Sequence, residues 1–144
     1  MPTAPVTAHV QSNSALFDAI YTALSAYSSW YIYKFGGTSI SHMFDMLPAV
    51  KLPAAVIAFE GSEYYKHPHR RRAKFHVVVV AQETQDFYTK GLLQVSTLAF
   101  KAIELLDQQV FGGTRAVCTV EEDNALDFGA TFAAIDVVFE ITDH

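Results

Sequence analysis

The chain has 144 residues, of which 51% are hydrophobic and 17% charged, with a net charge of −5 and a single cysteine. That length fits one domain, 1–144, with a core large enough to fold without metal or disulfides. The acidic balance excludes nucleic-acid binding by bulk charge, and no run reaches the roughly 18 apolar residues of a membrane span. With no CxxC and no basic, apolar leader, the sequence reads as a protein of a reducing compartment.

Residues 1–11, with Pro2 and Pro5, read as an extended arm. Ser12-Asn13-Ser14 offers helix caps, and Leu16, Ile20, Leu24, Tyr27 and Tyr31 recur at helical spacing. The pattern predicts a helix from about 14 to 29 with an aromatic far end, Tyr27, Trp30, Tyr31 and Tyr33. That end either closes the core or meets a neighbouring subunit. Residues Ile40 to Leu47 fit a short helix, and Pro48 and Pro53 bracket a connector.

Two apolar runs follow. Ala54–Glu60 and Lys74–Gln82, the latter with four consecutive valines, read as covered strands of a hairpin. Between them the polar stretch 61–73 reads as a long basic loop. Five of the ten Lys and Arg residues (Lys66, Arg70, Arg71, Arg72 and Lys74) fall within nine positions. Residues 91–110 show a helical stripe of Leu92, Val95, Ala99, Ile103, Leu106 and Val110, closed by Phe111-Gly112-Gly113. Ala116–Glu121 reads as a third strand around a buried Cys118, and Glu122-Asp123-Asn124 as a turn. Thr131–Thr142 alternates cleanly, with Asp136 and Glu140 on an expected wet side. The order α-β-β-α-β-β predicts an α+β fold, a mostly antiparallel four-stranded sheet carrying two main helices.

No GxGxxG, P-loop, HExxH or GxSxG motif occurs. His67-Pro68-His69 supplies too few ligands for a structural metal, and Glu121-Glu122-Asp123 lacks the spacing of a calcium loop. No catalytic, cofactor or metal site is therefore expected, and no enzyme. The site-like feature is charge. The basic residues Lys66, His69, Arg70, Arg71, Arg72 and Lys74 suit a subunit contact, and Glu121, Glu122 and Asp123 suit an acidic patch to receive them. Head-to-tail docking of this kind generates a ring. A nucleic-acid module using the basic loop is the alternative, but Asp136 and Glu140 stand where exposed aromatics would be needed.

The run Leu52-Pro53-Ala54-Ala55-Val56-Ile57-Ala58-Phe59-Glu60-Gly61 resembles the "LPAVxVxFEG" strand of small neck and tail proteins of tailed bacteriophages. The strand at Arg72–Val80, the helix 91–110 and the strand Ala134–Ile141 follow in the order found in those proteins. Over residues 14–142 the chain is similar to Mu-like prophage tail proteins and, more distantly, to tail terminators of lambda-like phages. The resemblance implies a tail-terminator or tail-completion protein with no cofactor. Its partners would be copies of itself in a hexameric ring, the tail tube protein and the neck or head-completion protein. It also implies a place in the virion tail or neck after synthesis in the bacterial host cytoplasm. Another head-completion, neck or baseplate component of similar fold is the nearest rival.

Overall fold

In the computed structural model, the structure describes residues 13–36, 40–65, 70–82, 88–111, 116–126 and 132–143. Its elements are α1 (Asn13–Leu24), β1 (Tyr31–Lys34), α2 (Ile40–Met46), β2 (Ala54–Tyr65), β3 (Arg70–Gln82), α3 (Tyr88–Leu106), β4 (Val110–Phe111), β5 (Ala116–Leu126) and β6 (Phe132–Asp143). The strands form one six-stranded sheet in the order β1-β2-β3-β6-β5-β4. The β1–β2 pair is parallel and the other four are antiparallel.

This corrects the expected α-β-β-α-β-β order, with its four-stranded, mostly antiparallel sheet and two helices. The sheet is mixed, curls into a half-barrel and carries three helices. One missed strand, β1, lies where the helical spacing of the sequence continues. The helix stops at Leu24 because the Trp30 indole Nε1 donates to the Leu24 carbonyl at 3.0 Å, satisfying an end group that a further turn would need. Ser25 also turns its hydroxyl back onto the Tyr21 carbonyl. The Tyr and Ile residues that follow then suit a strand better than a helix. The third helix likewise ends early, at Leu106 rather than at the glycine pair. Gln108 takes a positive φ of 64° and its amide donates to the Cys118 carbonyl.

The expected loop 61–73 is also corrected. β2 runs on to Tyr65 and β3 starts at Arg70, with Glu63 opposite Arg72 and Tyr64 opposite Arg71. Polar residues extend the hairpin because side chains alternate between faces, so a strand need not be apolar to pair. The expected turn at Glu122-Asp123-Asn124 is continuous strand, paired to Val138, Val137 and Asp136.

Alternation in β3 and β6 divides the core in two. Phe75, Val77, Val79, Val137, Phe139 and Ile141 pack with Leu16, Ile20 and Leu24 of α1 and with Val95, Ala99, Ala102 and Leu106 of α3. The opposite face, Ala54, Val56, Ala58, Val78, Val80 and Ala134, packs with Phe35, Met43 and Leu47 beneath α2. Phe75 is fully buried, edge-on to Phe17 with ring centroids 5.3 Å apart and tilted against Phe59 at the same distance. Phe75→Ala is expected to lower unfolding free energy by about 3–5 kcal/mol in urea titration, since the rings around it cannot close the gap. A loss below about 1 kcal/mol would show that the site collapses freely.

Candidate functional site

The face bearing α2 is covered by that helix over only part of its length. Beyond Ala58 and Val78 it turns polar, with Arg72, Lys74 and His76 from β3 and Asp136 and Glu140 from β6. The expected wet side of β6 is in fact buried: Asp136 is 6% exposed and Glu140 8%. Charges at that depth need partners, and each has one.

His76 sits between two carboxylates. Its Nδ1 lies 2.8 Å from both Asp136 oxygens and its Nε2 lies 2.8 Å from Glu60 Oε2. Two carboxylate acceptors call for an imidazolium that donates from both nitrogens. Burial pulls the His76 pKa down, but bonding to Asp136 and then to Glu60 outweighs it, and the net shift is upward from 6.5. Next along the strand, the Arg72 guanidinium grips Glu140 through two bonds, Nε–Oε1 at 2.6 Å and Nη2–Oε2 at 2.8 Å. Lys74 reaches Glu121 at 3.5 Å. Hydrogen bonding to Arg72 holds the Glu140 pKa below the usual carboxylate value, whereas sharing a hydrogen bond with Glu140 raises that of Glu121.

Two of these acids arrive by the same device. The β2–β3 register slips between Phe59 and Gly61, leaving Glu60 as the extra residue, and the β5–β6 register slips between Val120 and Glu122, leaving Glu121. A bulge re-aims the side chain it carries. Here each bulge brings a carboxylate to a basic residue of β3. A groove of about 380 Å³ lies among Glu60, Glu63, Arg72, Lys74, Glu121 and Glu140.

The site residues expected from sequence are thus dispersed. Lys66 and His69 lie outside the described residues. Arg70 pairs with Tyr65 at the hairpin end. Arg71 is 1% exposed and belongs to the opposite face from Arg72. Arg72 and Lys74 are ion-paired within the chain, Lys74 to Glu121 of the expected acidic patch. Glu122 and Asp123 are exposed on β5. The His76–Asp136–Glu60 group was missed. Its signal was a histidine interrupting an apolar run, on the same face as the polar positions of the last strand.

The chemistry open to this arrangement is charge neutralisation. The histidine meets a carboxylate on each ring nitrogen, where nucleophilic catalysis would need a hydroxyl or thiol on one of them. Cys118 is buried, and burial followed by the nearby Asp107 charge pushes its thiol up to about 12. Among the described residues no group of three or more His, Cys, Asp or Glu side chains is placed to hold a metal ion, and no helix is long and apolar enough to cross a membrane.

The aromatic residues expected at a helix end lie beyond α1, and they both close the core and face outward. Trp30 is buried and meets Tyr27 edge-on at 5.0 Å. Tyr31 is 52% exposed, with the Lys51 ammonium 5.8 Å from its ring centre.

No protein-family model matches the sequence, and no curated protein matches it. Among solved structures, the chain is similar in fold to a chain of the virion of a native gene transfer agent particle. The match has a TM-score of 0.57 and 16% identity, and covers 90% of this chain and 95% of that one.

The His76 geometry fixes a pH dependence. With its folded pKa above 6.5, the cluster contributes fully below pH 6.5, where both states hold the proton. The contribution is lost as pH rises through the raised pKa. Chemical denaturation at successive pH values is expected to show that decline in the wild type and its absence in His76→Gln. His76→Leu, which strands Asp136 without its partner, is expected to cost about 3 kcal/mol or more.

Proposed function

We propose that this chain is a structural virion protein of a phage-like particle, a tail-terminator or tail-completion protein. In this reading its copies form a ring that caps the tail tube and joins it to the head or neck. The observation that carries the reading is the likeness in fold, over nearly the whole of both chains, to a chain of a gene transfer agent virion. The resemblance of Leu52–Gly61 to phage neck and tail proteins supports the finer assignment.

The site supports a structural role. Its ionisable groups satisfy one another rather than a reacting centre, so we propose no enzymatic activity and no cofactor. Partners are further copies of the chain, a tail tube protein and a neck or head-completion protein. A different layer of the same particle, such as a head-completion, neck or baseplate component, is the second reading. The virion likeness supports that class as a whole.

Deleting the gene from the element that encodes it tests the assignment. Electron microscopy of the resulting lysate is expected to show filled heads unattached to tails, with tails of irregular length, both corrected by supplying the wild-type chain. Intact particles of normal length and yield would overturn it. Heads that lack their own closure, beside normal tails, would move the chain to the head-completion layer.

A further inference from the structure

Among the described residues, both ends of the sheet are open at the same height. β1 is an end strand with no partner on its outer side among the described residues. At the other end, β4 covers only Ala116 and Val117. Residues 107–109 extend that cover, through Gln108 and Gln109 bonded to Cys118 and the Asp107 carboxylate accepting the Val120 amide at 2.9 Å. From Glu121 to Leu126 the outer edge of β5 has no strand beside it among the described residues. Unpaired edges of this kind are templates for another chain.

The two edges can be placed on one scale by following the register across the sheet. Leu126 stands opposite Ala134, then Val80, Ala54 and Tyr31. Asp123 stands opposite Val137, then Val77, Ile57 and Lys34. The four residues of β1 are therefore level with the open part of β5. Strand directions alternate from β2 to β5 while β1 runs with β2, so β1 and β5 run oppositely. A sheet continued from one copy into the next would set β1 antiparallel to β5.

The facing residues match. Lys34 comes opposite Asp123, which has no ion-pair partner among the described residues. Ile32 comes opposite Ala125, and the exposed Tyr31 opposite Leu126. The faces agree as well. Tyr33 and Leu126 both pack toward the α2 core, so the joined sheet would keep α2 on one side throughout. Lys34 already touches Asp18 of α1, which presents its ammonium at the edge.

We propose that copies of this chain associate head to tail through their sheets, β1 of one copy pairing antiparallel with Asp123–Leu126 of the next, in the register that sets Lys34 against Asp123. Because the two surfaces differ, the contact repeats from copy to copy and closes as a ring or continues as a filament. The inference deepens the ring reading above and rests on it for closure; the pairing itself is fixed by the sheet.

Cysteine cross-linking tests it. Lys34→Cys and Asp123→Cys chains are mixed and oxidised, each position being exposed and outside the core. Opposed residues of an antiparallel pair lie within disulfide reach. A disulfide-linked heterodimer is expected from this mixture, none from either variant alone, and none when Lys34→Cys is mixed with Leu126→Cys. Cross-linking in the last mixture, or in no mixture up to the solubility limit, overturns the proposal. Charge reversal gives a second readout. Lys34→Glu and Asp123→Lys are each expected to weaken self-association by about tenfold or more, and an equal mixture to restore it. Rings that form without these cross-links would sink the pairing but leave the virion reading standing. Cross-links in a protein whose gene deletion leaves particles intact would do the reverse.

Discussion

The twelve-residue antiparallel ladder from Arg71–Asp143 to Gln82–Phe132 is the constraint on which the remainder depends. It places β3 and β6 at the middle of the sheet, with helices α1 and α3 on one face and α2 on part of the other. Strands in that position can be apolar on both faces, as the valine run is. Where they are not, every ionisable group must find a partner inside the sheet. His76, Asp136, Arg72 and Glu140 do so diagonally across the ladder, and the β2 and β5 bulges supply Glu60 and Glu121 from either side. The polar half-face is thereby closed on itself. A buried pair of this sort adds little net stability over an apolar replacement, yet it penalises any register that separates the partners.

Pairing the charges within the chain alters where contacts with other chains are expected. A basic cluster in a sequence suggests an outward-facing patch. Here Arg72 and Lys74 are engaged with Glu140 and Glu121 of the same molecule, and Arg71 lies within the other face. Among the described residues, what remains unpaired at the ends of the sheet is backbone: the edge of β1 and the edge of β5 beyond Val120. The charges that flank those edges, Lys34 and Asp123, are opposite in sign and level in register. Capping of the lower part of β5 by residues 107–111 leaves Glu121–Leu126 without a strand beside it among the described residues, and Asp123–Leu126 of that stretch stands level with β1.

Individual elements were legible in the sequence, but the sheet they build was not. The valine strand, the final alternating strand, the long amphipathic helix and the short helix near Ile40 all stand close to where periodicity sets them. What was illegible has physical causes. β1 is four residues long, and its tyrosines continue a helical spacing until Trp30 caps the helix from a distance. The hairpin extension and the far half of β5 are largely polar, so they leave little apolar signature. The His76 group needed three strands and a bulge to meet, and only the histidine within an apolar run and the acids at Asp136 and Glu140 hinted at it.

Hydrogen–deuterium exchange, compared between dilute and concentrated protein, tests most directly the claim that edges rather than the basic hairpin join the copies. The account predicts that concentration slows exchange in Tyr31–Lys34 and in Asp123–Leu126 together, while amides of Arg71–Lys74 stay unchanged. Protection that grows instead along the hairpin end, with both edges exchanging freely, would contradict it.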